Sequence, residues 1–152
     1  MKSIFFYQTS IGKIWIVEKG KAITNVSFQE DNVPKDVIIK ETSLIKEASQ
    51  QLNDYLASKR RSFSLPIAPE GTEFQQKVWK ALQEIPCGEI RSYGEVAKQI
   101  GQPKAARAVG MANNKNPILI FIPCHRVVGA NGKLVGYAAG LDVKEYLLKL
   151  ER

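Results

Sequence analysis

Hydrophobic and polar residues are arranged differently in the two halves of the chain, and the first half predicts strands. Residues 2–8, 12–18 and 22–28 are short runs rich in β-branched and aromatic side chains. Gly12 and the Gly20–Lys21 pair separate them. Runs of this length between turn residues predict three strands of a small antiparallel meander.

A helix and then a linker are predicted after these strands. From Thr42 to about Ser58 apolar residues repeat near the helical period. Residues 59–71 contain basic residues, two prolines and a glycine, a composition typical of a linker. We therefore predict an N-terminal domain over residues 1–65 and a C-terminal domain over residues 66–152.

The second half predicts mainly helices. Thr72 and Gln75 form a possible capping box for a helix that ends near Ile85. Ser92 and Glu95 repeat that pattern at the start of a helix over residues 92–100. Gly101 is placed to close this helix as its C′ residue.

Three more elements complete the predicted fold. A helix of small residues runs from Lys104 to about Asn113, and residues 118–122 form an apolar run that predicts a strand. A last helix begins at Asp142, with four apolar residues predicted to face inward: Val143, Tyr146, Leu147 and Leu150. The predicted fold class is α+β, with a small N-terminal antiparallel sheet and helix followed by a helical C-terminal domain.

Length and composition exclude several classes of protein. With 152 residues, 44% of them hydrophobic and 24% charged, the chain has the balance of a globular protein of one or two small domains. No apolar run approaches the ~18–20 residues that cross a bilayer. The first eight residues lack the apolar region and cleavage site of a signal peptide. We expect a cytoplasmic protein with no membrane partner.

Cysteine and histidine are too scarce for the common structural metal sites. Two cysteines and one histidine fall short of the four ligands of a tetrahedral zinc site. A disulfide between Cys87 and Cys124 is disfavoured in an intracellular protein. Cys87, in a Pro-x-Gly turn, is interpreted as structural. We expect neither a metal nor a cofactor.

Positive charge is concentrated between Arg91 and Tyr137. The chain has a formal net charge of +7, and this segment holds seven cations against one anion, Glu95. Such a segment favours a polyanionic partner, although a solvated basic face is the ordinary alternative. Within it, helices 92–100 and 104–113 have the spacing of a helix-turn-helix.

The second helix of this pair has an unusual composition. Lys104 and Arg107 supply charge, whereas the other side chains are mostly small. Alanines at this spacing often reflect close helix packing, but the surrounding charge favours DNA. Since few long polar side chains are available to read bases, backbone contacts and shape should lead the binding.

Cys124 precedes the only histidine of the chain, His125. A neighbouring cation, Arg126, favours the thiolate, which is the nucleophilic form of cysteine. His125 is a possible general base, but adjacent side chains of a strand point to opposite faces, so a turn or a water would be required. Glu151, near the apolar side of the last helix, either orients His125 or lies at a solvated helix end.

These residues resemble a known family. The segment Ile122-Pro123-Cys124-His125-Arg126-Val127-Val128 is similar to the active-site signature of the O6-alkylguanine-DNA alkyltransferases. Further segments match that family in order: 71–79, 92–95, 104–110, 116–117 and 136–137. The resemblance is specific over residues 71–151 and looser over residues 1–65, where it implies a ribonuclease H-like sheet.

The resemblance implies a role for each catalytic residue. Cys124 accepts the alkyl group, and His125 deprotonates it through a bound water. Glu151 orients His125, and Asn116 stabilises the active-site turn. Tyr93 lies near the flipped base and protonates the departing guanine.

The resemblance also implies how DNA and the base are held. Arg107 fills the gap left in the duplex, and the small residues let the helix lie in the minor groove. The implied DNA contacts are Arg107, Tyr93, Lys104, Ala105, Ala106 and Arg126. The implied pocket residues are Val127, Val135, Gly136, Tyr137, Ala138 and Ala139. Ala138 replaces a hydroxyl residue of some relatives and Ala139 replaces a glycine, and bulkier side chains in this loop, including Val135, are expected to narrow the range of alkyl groups.

The implied function is DNA repair by a single-turnover methyltransferase. A monomer would flip O6-alkylguanine, such as O6-methylguanine, out of double-stranded DNA and transfer the alkyl group irreversibly to Cys124. Two alternatives remain at this point. One is a DNA-binding regulator without chemistry, although such relatives lack the cysteine. The other is a cysteine hydrolase, which leaves the helix pair and Arg107 without a role.

Overall fold

The computed structural model describes residues 1–28, 32–137 and 139–152, which form two compact units. The first unit is Met1–Pro69 and the second is Glu70–Arg152. In the described residues, every helix is too short or too polar to cross a membrane.

A four-stranded mixed sheet is the centre of the first unit. Its strands are β1 (Lys2–Thr9), β2 (Gly12–Lys19), β3 (Ala22–Ser27) and β4 (Val37–Ile39), in the order β3-β2-β1-β4. The first three strands form the predicted antiparallel meander. The fourth pairs in parallel with β1, so the sheet is mixed rather than antiparallel. Strand β4 is only three residues long, too short for its alternation to be recognised in the sequence.

Helix α1 (Ser43–Leu56) packs against this sheet. Thr42 caps it by accepting a hydrogen bond from the backbone N–H of Ile45 at 3.1 Å. The helix buries an apolar face that includes Ile45, Ala48 and Leu52. This face against the sheet supplies the core of the first unit.

Part of the predicted linker over residues 59–71 belongs to the first unit. The backbone N–H of Ile23 donates to the carbonyl of Pro66 at 2.9 Å, and Ala68 returns a bond to Ile23 at 2.8 Å. Pro66 and Pro69, which predicted a linker, lie in the segment beside the edge strand β3, where few backbone N–H donors are required. The segment therefore continues the sheet rather than leaving it.

Four helices build the second unit: α2 (Glu73–Leu82), α3 (Tyr93–Gln99), α4 (Ala106–Asn114) and α5 (Leu141–Leu150). The capping boxes at Thr72–Gln75 and Ser92–Glu95 are both formed, as predicted. Gly101 has φ +78°, the left-handed conformation expected just after a helix. Each local signal therefore set the end of a helix within two or three residues.

The core of the second unit lies where α2, α3 and α4 pack together. Val78, Leu82, Val96 and Val109 are fully buried there. The indole of Trp79 donates to the carbonyl of Ala112 at 2.9 Å, which satisfies its one polar atom inside the core. Helix α4 is thus fixed to α2 by packing and by a buried hydrogen bond.

Two predictions for the second unit are wrong. Residues 118–122 form a compact turn instead of a strand, closed by a bond from the N–H of Ile122 to the carbonyl of Ile118 at 3.0 Å. In α5, Tyr146 is 43% exposed, whereas Lys144 is fully buried. A pattern of apolar residues cannot predict a lysine on the inner face of a helix, because charged side chains are almost always exposed.

Candidate active site

Cys124 lies in a short 3₁₀ helix, Cys124–Arg126, between the compact turn and strand β6 (Val127–Val128). Strand β6 pairs in parallel with β5 (Arg91–Ser92), which leads directly into α3. The 3₁₀ helix supplies the turn that the sequence required between Cys124 and His125. The Cys124 side chain is therefore not forced to the face opposite its neighbour, as it would be in a strand.

The compact turn before Cys124 is held by Asn116. The Asn116 amide donates to the carbonyl of Ile122 at 2.8 Å and accepts from the N–H of Ile118 at 3.0 Å. Ile120, in the middle of the turn, has φ +73°, a conformation that β-branched residues rarely adopt. Strain of this kind persists where surrounding contacts impose it, as the Asn116 bonds do here.

Burial of Cys124 dominates the chemistry of its thiol. The residue is 1% exposed, and this desolvation raises the thiol pKa to about 11. A hydrogen bond from the Asn116 side chain and the positive charge of Lys144 act in the opposite direction and lower it. The thiol is therefore protonated at neutral pH and needs a base before it can act as a nucleophile.

His125 and Glu151 form a buried pair that can supply the base. Nε2 of His125 lies 2.6 Å from Oε2 of Glu151, and both residues are at most 2% exposed. Burial lowers the pKa of His125, against the opposing effect of Glu151, so the imidazole is neutral at pH 7. With the Nε2 proton directed at the carboxylate, Nδ1 is the atom that accepts a proton.

Arg126 fixes the same carboxylate from the other side. Its Nε donates to Oε1 of Glu151 and one terminal nitrogen to Oε2, both at 3.0 Å. The other terminal nitrogen donates to the carbonyl of Ile85 at 2.6 Å. Arg126 is 6% exposed and its donors are used inside the protein, so the geometry does not support the predicted contact with DNA, which stays a prediction. Nothing in the sequence indicated that Arg126 would pair with a buried carboxylate inside the protein.

Tyr93 connects the start of α3 with the predicted pocket segment. Its hydroxyl donates to the carbonyl of Val135 at 3.0 Å. Burial, and then the negative charge of a Cys124 thiolate, raise the Tyr93 pKa above its ordinary value. The phenol therefore keeps its proton at neutral pH and lies close enough to Cys124 to sense its charge.

The predicted pocket residues differ in exposure. Val127 is fully buried, Val135 is 40% exposed and Tyr137 is buried with its ring 6.5 Å from that of His125. Gly136 has φ +54°, and a Cβ there would lie 3.1 Å from the Asn114 side chain, so glycine fits best. Ala139 is half-buried, and Ala138 lies outside the described residues.

Four of the predicted DNA-contacting residues lie between α3 and the first turn of α4. Lys104 and Arg107 are exposed, whereas Ala105 and Ala106 are half-buried. Helix α4 begins at Ala106, so Lys104 precedes it instead of opening it. The exposed cations of the basic segment are Lys98, Lys104, Arg107, Lys115 and Lys133.

Two buried residues beside Cys124 were not found from the sequence. The Asn113 amide, on α4, donates to the carbonyl of Cys124 at 3.3 Å. The ammonium of Lys144, on α5, donates to the carbonyl of Val127 at 2.6 Å. Both residues are polar members of otherwise amphipathic helices, and only the tertiary fold shows which face each occupies.

The described residues contain no group of three histidine, cysteine or carboxylate side chains that could hold a metal ion. Neither Cys124 nor the half-buried Cys87 is in a disulfide. What the site does contain is a thiol, a neutral imidazole, a carboxylate and a phenol. These groups can move a proton from sulfur and return one to a leaving group, which is the machinery of nucleophilic catalysis.

A buried Cys–His–Glu series is typical of proteins that use cysteine as a nucleophile, and the exposed cations of α3 and α4 indicate a polyanionic substrate such as DNA. Comparison with known proteins specifies it further. Residues 5–69 match the ribonuclease-like domain of 6-O-methylguanine DNA methyltransferase, and residues 73–152 match its DNA binding domain.

Similar proteins cover nearly the whole chain. A methylated-DNA–protein-cysteine methyltransferase of Methanosarcina acetivorans is 54% identical over 149 residues, 95% of each chain. The constitutive one of Bacillus subtilis is 48% identical and covers 95% of this chain and 92% of its own. The crystal structure of Mycobacterium tuberculosis OGT in complex with DNA has a TM-score of 0.93 at 45% identity, over 98% of this chain and 92% of that one.

The chain belongs to the 6-O-methylguanine DNA methyltransferase family, the family of O6-alkylguanine-DNA alkyltransferases that its motifs resemble. The predicted family and α+β fold class are thereby confirmed.

Proposed function

We propose that this protein repairs O6-alkylguanine, such as O6-methylguanine, in double-stranded DNA by transferring the alkyl group to Cys124. The observation that carries this proposal is the buried His125–Glu151 pair at 2.6 Å, next to Cys124 in the chain and in the same unit as α3 and α4. The relatives named above are methyltransferases of this kind, and the relative from Mycobacterium tuberculosis forms a complex with DNA.

Binding begins at the first turn of α4 and the residues just before it. The half-buried Ala105 and Ala106 leave room for close approach to a minor groove, and Lys104 neutralises phosphate. A guanine within a duplex must leave the stack before its O6 substituent can be reached, at a cost of a few kcal/mol. Arg107 fills the space that the base vacates, and Tyr93 assists the rotation of its phosphate.

Transfer then proceeds as a balanced displacement. His125 accepts the thiol proton through a water while Glu151 stabilises the imidazolium. The sulfur forms a bond to the alkyl carbon, the bond from that carbon to O6 breaks, and its electron pair passes to the guanine. The Tyr93 phenol protonates the guanine and regains a proton from solvent or from the imidazolium.

The product limits the protein to one turnover. A thioether on Cys124 is chemically stable, and no nucleophile among the described residues is placed to cleave it. Asn116 keeps the turn in place, and a pocket of Val127, Val135, Gly136, Tyr137 and Ala139 admits small alkyl groups. The protein acts on DNA as a cytoplasmic monomer without a metal or cofactor.

Isotope transfer from a defined lesion tests the proposal. We expect one labelled methyl group per molecule on the peptide that contains Cys124 after incubation with a duplex carrying O6-[¹³C]methylguanine. The Cys124→Ala variant should bind the duplex with unchanged affinity and take up no label. A Cys87→Ser variant is the matched control and should react as the wild type does.

Two other results would contradict the proposal. Tight binding of the lesion without label on the wild-type protein would indicate a regulator that lacks chemistry. Repeated turnover of an ester or a peptide, abolished in the Cys124→Ala variant, would indicate a hydrolase. Mass spectrometry of the digested protein separates these outcomes because it locates the label on one of two cysteines.

A further inference from the structure

A buried lysine on α5 lies beside the nucleophile. Lys144 is fully buried, an unusual position for a residue whose charge is normally in water. It shares the inner face of α5 with Leu147 and Glu151, three and seven residues further on, which are also buried. The helix that supplies the carboxylate partner of His125 therefore also delivers a cation to the site.

The ammonium of Lys144 joins two segments of backbone around the site. Nζ donates to the carbonyl of Val127 at 2.6 Å, in the strand that follows the Cys124 turn. It also donates to the carbonyls of Val135 at 2.9 Å and Gly136 at 3.2 Å, in the predicted pocket segment. All three protons of the ammonium are thus used, and they fix the spacing between these segments.

The charge of this lysine is not cancelled by an ion pair. Among the described residues, no carboxylate pairs with Nζ, whose hydrogen bonds all go to neutral carbonyls. Burial lowers the pKa of Lys144 to about 8, and the negative charge of Cys124 is the influence that raises it. Reciprocally, the positive charge of Lys144 lowers the pKa of the Cys124 thiol. A buried cation without a counter-ion is costly, and it attracts an anion that forms nearby more strongly than it would in water.

We infer that Lys144 is a positioning residue for alkyl transfer, whose ammonium holds β6 and the pocket segment together and stabilises the Cys124 thiolate as it forms. This inference rests on the proposed function and adds to it a residue that acts through the nucleophile instead of touching the base. The anion exists only during the reaction, so the interaction is stronger in the transition state than in the resting protein.

Other ionisable groups face this site and must be considered in any pH profile. They come from the 3₁₀ helix, from α3, from the pocket segment and from α5: Cys124, His125, Arg126, Tyr93, Tyr137 and Glu151. The pKa of His125 is lowered and that of Tyr93 is raised, so neither titrates near pH 8. Loss of activity just above pH 8 would therefore report Lys144.

Three variants and one control separate charge from packing. Lys144→Met keeps the length and apolar stem but removes the charge and the donors. Lys144→Gln keeps a donor without charge, and Lys144→Arg keeps a charge that does not titrate below pH ~12. Lys149→Met is the matched control, because Lys149 lies on the same helix with its side chain 62% exposed.

The measurement is the single-turnover rate constant at saturating methylated duplex, from pH 6 to pH 10, together with the thermal midpoint of each variant. For the wild type we expect a plateau up to about pH 8, then a fall as Lys144 loses its proton. A nearby opposite charge shifts a pKa by about one unit or more, so Lys144→Met and Lys144→Gln should react about tenfold more slowly at pH 7. Both should also lose the alkaline fall, and so should Lys144→Arg. The Lys149→Met control should match the wild type.

Several results would overturn the inference. One is a wild-type rate that stays level or rises through pH 9.5, which decides the matter even if no Lys144 variant folds. Another is a uniform rate loss across the pH range that follows the loss of thermal stability, because it indicates packing alone. Failure of the wild type to take up label is a different result, since it would refute the proposed function itself.

Discussion

The Glu151 carboxylate contacts both the His125 imidazole and the Arg126 guanidinium inside the site. One oxygen accepts from Nε2 of His125, and both oxygens accept from the guanidinium of Arg126. Because Arg126 keeps the carboxylate ionised and oriented, Glu151 can direct the imidazole without taking its proton. Removing the charge of Glu151 should therefore affect both the reaction and the fold.

We predict that Glu151→Gln slows alkyl transfer by about 10²–10⁴-fold, the usual contribution of an oriented base. It should also lower the free energy of unfolding by about 3–5 kcal/mol, because the buried guanidinium of Arg126 loses its partner. Single-turnover kinetics and denaturant unfolding measure the two effects. Glu145→Gln, at an exposed position of the same helix, should change neither. Equal kinetics in both variants would contradict the role of Glu151.

The pH dependence of the reaction should show which group removes the thiol proton. Because the pKa of His125 is lowered, the imidazole of the wild type stays neutral as pH falls to about 6.5, and the rate should decline only in more acidic solution. In His125→Ala the thiol must ionise by itself. Its rate should be far lower at pH 7, because the Cys124 pKa is about 11, and should rise about tenfold per pH unit up to about pH 8, where Lys144 begins to lose its proton. A pH-independent rate in that variant would exclude His125 as the base.

The same shift of His125 has a consequence for stability. A folded-state pKa below the unfolded value means that the unfolded chain binds the proton more readily in acid. The stability contribution is thus fully present above the unfolded pKa of ~6.5 and is lost as pH falls through the lower, folded value. The acid limit on activity and the acid limit on folding should therefore lie close together.

Single residues were predictable where a residue type was rare. The only histidine, the neighbouring Cys124 and a carboxylate on the last helix led to the site, and the structure brings His125 and Glu151 into contact. The burial of Lys144 and of Arg126 was not predicted, because lysine and arginine are abundant and usually exposed. Their burial depends on carbonyl and carboxylate partners that only the folded chain brings together.

At the scale of secondary structure, capping residues correctly predicted the helices, whereas the apolar run over residues 118–122 wrongly predicted a strand. The capping boxes and Gly101 fixed the ends of α2 and α3 because the interactions involved span only a few residues. Residues 118–122 carry the composition of a strand, but Asn116 and the positive φ of Ile120 fold them into a turn. Local hydrogen bonds from a side chain to the backbone there override intrinsic strand propensity.

Helix α4 provides a direct test of base flipping. We predict that Arg107→Ala slows repair of methylated duplex by at least about tenfold, because the gap left by the extruded base is no longer filled. Reaction with O6-methylguanine as the free base should be unchanged, since that substrate is already unstacked. Lys98→Ala, at an exposed cation of α3, is the matched control and should leave the chemical step of both reactions unchanged. An equal loss of rate on both substrates in Arg107→Ala would exclude the proposed role of Arg107 in filling the gap.

At the scale of the whole molecule, the sequence predicted the distribution of charge but not the pairing of the strands. The basic segment between Arg91 and Tyr137 pointed to a polyanion, and most of its cations are exposed on the second unit. The mixed pairing of the first sheet was not visible, because a three-residue strand such as β4 leaves too weak a pattern. Composition was therefore sufficient to predict a polyanionic partner but not to predict the topology of the sheet.

The exposed cations of the basic segment should make DNA binding strongly dependent on salt. If about five of them neutralise phosphates, affinity for duplex should fall by about 10²–10³-fold between 50 and 200 mM salt, through release of counterions. The Cys124→Ala variant allows this equilibrium to be measured without reaction. In that background Lys115→Ala should reduce the slope of log affinity against log salt by about one. Lys59→Ala, at an exposed cation of the first unit, is the control and should leave the slope unchanged. A slope that is altered equally by both substitutions would show that the contact surface extends beyond the basic segment.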